Sequence, residues 1–185
     1  MSPNFPNKLS IPVMNHLSGK IYFLKRVDEI EPSDELLEHL VAIGNEYKVY
    51  SWIFKEMLKE EPYGLNNAND FFEMGRNGWN ENEQFVFMLM TENGEPAACI
   101  DIKSSDLDGA EIGYLSSVKH RGVMTNTVIA ILNLARDEGY KRLFALVQKG
   151  NDESSDVMLR AGFLHNEARS EQCETYHYYE TSSQQ

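Results

Sequence analysis

A basic, glycine-containing segment at residues 119–126, KHRGVMTN, has the composition of an anion-binding turn. It comes after a short β-rich run at 110–115 and leads directly into a helical pattern in which Val128, Ile131 and Ala135 recur on one face. The first backbone N–H groups of a helix have no partner within the helix, and the positive end of the helix dipole lies beside them. A strand, a turn and a helix N-terminus in this order therefore predict a binding site for a phosphate or a similar anion.

The longer stretch 111–163 resembles a known protein family. It contains, in order, EIGYLSSVKHRG, a predicted helix, a predicted strand, and the segment NDESSDVMLRAGF at 151–163. This order and spacing are similar to those of the GNAT superfamily of acetyl-CoA-dependent N-acetyltransferases, and most similar to the Rim-type ribosomal-protein N-terminal acetyltransferases. The chain departs from their pattern at Met124, where relatives carry glycine or alanine, and it has Lys119 at the first basic position.

The resemblance implies that the turn holds the pyrophosphate of acetyl-CoA, the cosubstrate. Backbone N–H groups would line the turn, Arg121 would add positive charge, and Gly122 would let the backbone approach the phosphates closely. The cofactor-binding residues expected here are Arg121, Gly122, Val123, Met124, Thr125 and Asn126. One alternative is an ordinary strand-to-helix turn with a surface arginine. Another is a degenerate site, if the Met124 side chain points into the turn and excludes the pyrophosphate.

The resemblance also implies where the thioester lies. In the family, the strand that carries Glu-Ile-Gly-Tyr parts from its neighbour at a bulge, and the pantetheine arm lies in the gap. By resemblance, the N–H of Leu115 or Ser116 would donate to the carbonyl oxygen as negative charge develops there. Asn151 would bond the pantetheine amide, or would simply cap a strand end. Tyr114 is expected to be a packing residue.

Proton transfer needs two groups, because an amine acceptor arrives as an ammonium ion and the departing thiolate needs a proton. Glu111 is the candidate base, directly or through water; the alternative is a solvated or ion-paired strand carboxylate. Many relatives carry a tyrosine acid where this chain has Met158, so that assignment does not apply here. Ser154 matches a serine that Rim-type members carry near the sulfur, and it is the candidate partner of the thiolate. It is also a good N-cap for the following helix, and both roles are compatible.

The elements that position these residues are predicted to form one domain. Residues 1–19 contain Pro3, Pro6 and Pro12 without a clear period, and are predicted to be an N-terminal tail lying on or off a single domain at 20–181. The predicted strands are 20–27, 84–90, 97–103, 110–115, 143–147 and a terminal hairpin of 164–170 with 175–180. The predicted helices begin at Ser33, cover 47–58 and 67–79, and follow the anion-binding turn and Asn151. The resemblance implies an α/β (α+β) GNAT fold, a mixed and largely antiparallel central sheet with helices on both faces.

Composition and charge narrow the possible functions. A length of 185 residues with 42% hydrophobic and 25% charged residues is typical of one globular domain. The net charge of −12 argues against nucleic acid or an anionic membrane as a partner, since both require a basic face. Two cysteines without metal-ligand spacing predict reduced thiols and no metal site. Without a membrane-spanning apolar run or a signal-peptide pattern, the sequence predicts a cytoplasmic protein.

Together these observations predict an N-acetyltransferase that moves an acetyl group from acetyl-CoA to a primary amine by direct attack in a ternary complex. The acceptor is a peptide N-terminus or a small amine such as a polyamine or an antibiotic, and the sequence leaves this choice open. It equally leaves open whether the protein is a monomer or a homodimer. The alternative function is a non-catalytic acyl-CoA-binding module of the same fold, favoured by Met124 and by the absence of the tyrosine acid.

Overall fold

An eight-stranded sheet lies at the centre of the fold, in a computed structural model that describes residues 2–182. The strands are β1 (Ser10–Met14), β2 (Ile21–Arg26), β3 (Phe85–Met90), β4 (Pro96–Ile102), β5 (Ala110–Ser116), β6 (Leu143–Gln148), β7 (Leu164–His165) and β8 (Tyr176–Glu180). They lie in the order β1-β2-β3-β4-β5-β6-β8-β7. All neighbours are antiparallel except β5 and β6, which are parallel. The prediction of a mixed, largely antiparallel sheet is confirmed.

Helices cover both faces of this sheet. They are α1 (Asp34–Gly44), α2 (Tyr47–Val49), α3 (Leu65–Glu81), α4 (Met124–Asp137), α5 (Asp152–Arg160) and α6 (Glu167–Glu171). Helices α1 and α3 pack together and contact β4 and β3, whereas α4 and α5 pack together and contact β1 and β6. Ser33 caps α1 as its sequence predicts, because its Oγ accepts the N–H of Leu36. Helix α2 continues as a π-helical turn, Tyr50–Phe54, so the helix predicted at 47–58 is irregular over much of its length.

The centre of the sheet is apolar with one exception. Every residue of β3 is buried, and so is every residue of β4 except Asp101. Continuous apolar runs of this kind are typical of strands that are covered on both faces. A carboxylate in such a strand needs hydrogen-bond partners, and Asp101 finds them beside the candidate site described below.

Part of the predicted N-terminal tail belongs to the domain. Ser10–Met14 form the outer strand β1, which pairs with β2, and Phe5 is buried with its ring 4.7 Å from that of Phe85. The domain therefore begins before Lys20, and the boundary placed there is corrected; Met1 lies outside the described residues. Prolines in this segment argued against a strand in the sequence, but Pro12 is tolerated in β1 because β1 is an edge strand.

The terminal hairpin is also corrected. Strand β7 contains two residues and pairs with β8, but the chain after it forms helix α6 where a longer strand was predicted. Asn166 starts this helix, because its side-chain oxygen accepts the N–H of Arg169 at 3.0 Å. Asparagine is a strong helix N-cap, and this local signal outweighs the weak alternation of residues 164–170.

Candidate active site

Strands β5 and β6 separate soon after they meet. Their pairing joins Ala110 to Leu143 and Glu111 to Phe144, and it goes no further along the described strands. Strand β5 keeps a continuous register with β4 as far as Ser116, so the expected bulge is absent from that pairing. The parting itself leaves a gap beside the C-terminal half of β5, where the resemblance implies the pantetheine arm.

Alternation along β5 decides which backbone groups face this gap. The N–H of Ser117 is donated to Ala97 O, on the β4 side, and the C=O of Glu111 accepts a hydrogen bond on the same side. Odd-numbered residues of β5 therefore direct their backbone polar groups to β4. Ser116 directs its N–H towards the gap, whereas Leu115 directs its own towards β4.

The predicted anion-binding turn presents a row of unpaired backbone N–H groups. After β5 come a 3-10 turn, Val118–His120, and then Gly122 with a φ of 98°, before α4 begins. No side chain caps the start of α4. Within residues 2–182, no protein acceptor takes the backbone N–H of any residue expected to line the turn, namely Arg121, Gly122, Val123, Met124, Thr125 and Asn126. Such a row of free donors at a helix N-terminus can hold an anion.

The absence of a side chain at Gly122 allows the segment that follows β1 to pack closely against this turn. The Asn15 amide nitrogen donates to Arg121 O at 3.0 Å, and the N–H of His16 is donated to Gly122 O at 3.1 Å. A Cβ at Gly122 would lie 2.7 Å from Asn15 Oδ1 and 2.7 Å from Leu17 Cγ. A larger residue would therefore displace the turn between β1 and β2, besides adopting a left-handed backbone conformation.

Two side chains of the turn, those of Met124 and Asn126, have contacts outside it. Met124 has 5% of its surface exposed and belongs to the hydrophobic core, so it does not fill the turn. The amide of Asn126 is donated to Met14 O at 2.7 Å. Arg121 is exposed, and its charge adds to the hydrogen bond and charge of Lys48 in lowering the pKa of Glu153 at the start of α5. The positive charge of Arg121 therefore lies near the first turn of α5.

Helix α5 brings Ser154 against Tyr114 of β5. Asn151 caps this helix by accepting the N–H of Ser154 at 3.2 Å, so the alternative that Ser154 itself is the N-cap is wrong. The hydroxyl oxygens of Ser154 and Tyr114 are 2.8 Å apart. Burial raises the pKa of Tyr114 to about 12, so this hydroxyl stays protonated at neutral pH. Met158, where relatives carry the tyrosine acid, is fully buried in the core.

Glu111 lies in a small charged cluster on the other face of β5. It forms an ion pair with Lys103, and its side chain is 26% exposed. Asp101 lies next to them and accepts the N–H of Gly113 at 2.9 Å and the amide of Gln84 at 2.7 Å. Burial raises the pKa of Asp101. The positive charge of Lys103 and the two hydrogen bonds oppose this rise, whereas the negative charge of Glu111 adds to it. A Cβ at Gly113 would lie 2.9 Å from Asp101 Oδ1, which explains the glycine of the EIGY segment.

The candidate base and the hydroxyl pair therefore lie on opposite faces of one strand. Side chains alternate along β5, so Glu111 points away from the face on which Tyr114 meets Ser154. The gap between β5 and β6 opens beyond Glu111, which is still paired with Phe144, and runs past Tyr114 towards Ser116. Sequence reasoning found Glu111 and Ser154 but missed the contact of Tyr114 and the neighbour Asp101, which depend on pairing between distant segments.

Residues 27–164 match the family described as acetyltransferase (GNAT) domain. The chain belongs to this family. The predicted membership is thereby confirmed. No curated protein matches the chain.

Solved structures share this GNAT fold at low sequence identity. The structure of Mycobacterium smegmatis RimJ in complex with CoA-disulfide superposes with a TM-score of 0.75 at 15% identity, covering 97% of this chain and 89% of RimJ. The GNAT domain of S. lividans PAT gives 0.68 at 16% identity, with 96% and 98% covered. Microcin C7 self-immunity acetyltransferase MccE, in complex with acetyl-CoA and AMP, gives 0.67 at 16% identity, with 85% and 91% covered.

Two further findings, on metal ions and on membranes, concern the part of the chain that the structure describes. No cluster of three or more histidine, cysteine, aspartate or glutamate side chains there is arranged to hold a metal ion. No helix between residues 2 and 182 combines the length and the apolar character needed to cross a bilayer.

Proposed function

We propose that this GNAT-family protein transfers an acetyl group from acetyl-CoA to a primary amine by direct attack in a ternary complex. The observation that carries the proposal is the row of unpaired N–H groups from Arg121 to Asn126, placed directly after a strand that parts from its neighbour. The row offers donors to a pyrophosphate, and the gap leaves the backbone groups on one edge of β5 without a partner strand, where an extended arm could bind. The alternative of a non-catalytic acyl-CoA-binding module uses the same two features.

Acetyl-CoA suits these features. The N–H groups of the turn, with the exposed Arg121, would bind its phosphates, and Gly122 would keep side-chain atoms away from them. The buried position of Met124 supports binding, because the apolar side chain lies in the core. The fold-level likeness to RimJ and MccE, whose structures hold a CoA disulfide and acetyl-CoA, is further support. The bound cosubstrate would supply a thioester carbonyl and a thiolate leaving group.

Ser116 would serve the carbonyl oxygen. Its N–H is directed towards the gap, in contrast to that of Leu115, so we assign the donor role to Ser116. A fixed backbone donor stabilises negative charge that develops on a carbonyl oxygen, and it does so without having to reorganise. Asn151 keeps the role of helix cap, which leaves its amide nitrogen for the pantetheine arm.

Glu111 and Ser154 would handle the two protons. Glu111 would accept a proton from the ammonium acceptor, directly or through water, while Lys103 holds the carboxylate in place. Tyr114 would donate its hydrogen to Ser154 Oγ, so that the Ser154 hydroxyl hydrogen is free to point at the departing sulfur. Because the pKa of Tyr114 is raised to about 12, Tyr114 would orient Ser154 without losing its own proton.

The buried Cys99 supports direct attack rather than an acyl-enzyme route through its thiol. Cys99 is buried in β4, and burial raises the pKa of its thiol to about 12. A thiol must be ionised to act as a nucleophile, so Cys99 is unsuited to that role. Cys173 lies between α6 and β8, where its C=O accepts a hydrogen bond from Lys149 Nζ at 2.7 Å.

The decisive experiment is a CoA-release assay with purified protein, acetyl-CoA and three acceptor sets: peptides with free N-termini, polyamines and aminoglycosides. The proposal expects acceptor-dependent release of CoA with at least one set, and acetylated product by mass spectrometry. Ser-initiated and Ala-initiated peptides matched to N-terminally blocked versions serve as controls. Acetyl-CoA binding without turnover on any acceptor would favour the binding-module alternative, whereas absence of binding would contradict both functions.

A further inference from the structure

Glu46 joins the segment before α2 to the end of β5. One carboxylate oxygen accepts the hydroxyl of Ser117 at 2.6 Å, and the other accepts the N–H of Val118 at 2.7 Å. Ser117 is 1% exposed, and its Oγ also accepts the N–H of Lys119 at 3.2 Å. Charge-assisted hydrogen bonds to a carboxylate are stronger than neutral ones. Glu46 therefore fixes the point at which β5 ends and the anion-binding turn begins.

The same segment is tied to the opposite side of the gap. The amide of Gln148, at the end of β6, donates to Trp52 O at 2.9 Å. Lys48 Nζ lies 2.7 Å from Glu153 in the first turn of α5. Residues 46–54 thus hold the ends of both parted strands, and we call them the bridge. Its second half is the π-helical turn, a conformation that is rare and frequent at functional sites.

We infer that Glu46 is a positioning residue for the acetyl-transfer reaction, which sets the direction of the Ser116 N–H from the bridge. This inference rests on the proposed function. Ser116 lies directly before a residue whose N–H is bound to Ala97 O and whose hydroxyl is bound to Glu46. The end of β5 is thus restrained by two contacts of Ser117, one with Ala97 of β4 and one with Glu46 of the bridge.

Loss of the carboxylate would release the second restraint. The end of β5 would then be held by β4 alone, and the N–H of Ser116 would sample directions away from the carbonyl oxygen. Small displacements of a catalytic group cost large factors in rate, because the donor must meet the charge as it develops. The N–H groups from Arg121 to Asn126 have their own supports in Asn15 and His16, so phosphate binding would be affected less.

Three variants test this role. Glu46→Ala removes both contacts, and we expect turnover to fall about tenfold or more while the Kd for CoA changes less than about threefold. Glu46→Gln can still accept the N–H of Val118 and can donate to the Ser117 hydroxyl, so it should restore most of the rate. Glu38→Ala, which removes an exposed carboxylate from α1, is the matched control and should leave the rate unchanged.

Hydrogen exchange gives a readout that does not depend on activity. In Glu46→Ala, backbone exchange should accelerate at Val118, whose N–H loses its acceptor, and at the neighbouring Ser117, and remain at the wild-type rate in β3. Unchanged exchange at Ser117 and Val118, or a Glu46→Ala turnover equal to that of an active wild type, would overturn the inference. If Glu46→Gln lost as much of the rate as Glu46→Ala, the inference would also be overturned, because the negative charge of Glu46 would then matter and its hydrogen bonds would not. If the wild type were inactive with every acceptor and Glu46→Ala still accelerated this exchange, the proposed function would fail and so would a role in catalysis for Glu46, although its structural contact with Ser117 and Val118 would stand.

Discussion

The hydroxyl of Tyr114 lies 2.8 Å from Ser154 Oγ, so the middle of β5 is joined to the first turn of α5. The two residues are 40 positions apart in the chain. Tyr114 was expected only to pack, yet its polar end meets the residue proposed to face the departing thiolate. This contact fixes the orientation of the Ser154 side chain. Because Asn151 caps α5, mutations of Ser154 can test a catalytic role separately from helix capping.

Ser154→Ala should lower kcat by about a hundredfold to a thousandfold, within the range for loss of a general acid, and leave CoA affinity nearly unchanged. Stability should fall by no more than about 1.5 kcal/mol, because one hydrogen bond is lost while Asn151 still caps α5. Steady-state kinetics and thermal melts on the same samples measure both. Ser155→Ala, the next residue on the helix, is the control, and a Ser154→Ala rate equal to it would remove Ser154 from the mechanism.

Tyr114→Phe should lower kcat by a smaller factor, about threefold to tenfold, because it removes the partner that orients Ser154 but not the proposed proton donor. In the Ser154→Ala background the same change should have little further effect, since the two residues act through one contact. Kinetics on the single and double variants check this. Additive losses in the double variant would show that Tyr114 acts independently of Ser154.

Glu111→Gln should lower turnover by about two to four orders of magnitude at neutral pH, with little loss of acetyl-CoA affinity. The amide keeps the shape of the side chain and cannot accept a proton from the acceptor. Lys103→Met, which breaks the ion pair and leaves the carboxylate, should retain far more activity. Turnover of Glu111→Gln close to wild type between pH 6 and 9 would move the base to another group.

Sequence patterns predicted the elements of this fold better than the contacts between them. The segment from Glu111 to Phe163 was placed correctly because periodicity, turn residues and glycines are local signals. The pairs Tyr114–Ser154 and Glu46–Ser117 lie 40 and 71 residues apart, and no local signal connects them. Such contacts depend on which strands become neighbours, and the resemblance to a family supplied the type of sheet but neither its strand order nor these side-chain contacts.

The partly buried carboxyl of Asp101 should make the free energy of unfolding depend on pH in a particular direction. Burial raises the pKa of Asp101 in the folded state, so its favourable contribution is complete below the unfolded-state pKa near 4 and is lost as pH rises through the folded-state value. Relative to Asp101→Asn, the wild type should therefore lose stability as pH rises above about 4. Urea unfolding of both proteins across this range measures the difference.

Asp108→Asn is the control for this pH series, because Lys141 lowers the pKa of the exposed Asp108. A lowered folded-state pKa gives stability that is present at neutral pH and lost as pH falls, the opposite trend. Its amplitude should be small and should shrink with added salt, since the pair is exposed. Parallel trends for Asp101 and Asp108 would contradict the assigned effect of burial on Asp101.

The anion-binding turn gives the most direct test of cosubstrate binding. We expect the wild type to bind acetyl-CoA with micromolar affinity, about 8 kcal/mol. Gly122→Val should weaken binding by about tenfold or more, because valine disfavours a φ of 98° and its Cβ would meet Asn15 and Leu17. Met124→Gly should change affinity little, although losing a buried side chain at the start of α4 should lower the melting temperature.

Calorimetric titration of the three proteins, with CoA and acetyl-CoA in turn, measures these affinities below the melting point of the least stable variant. Comparing the two variants separates the backbone donors from the side chain, because Gly122→Val disturbs the path of the turn and Met124→Gly leaves that path in place. If the wild type gave no heat of binding and Met124→Gly restored it, the methionine would be blocking the turn. The chain would then have the GNAT fold without a working cosubstrate site, and the acetyltransferase proposal would fail.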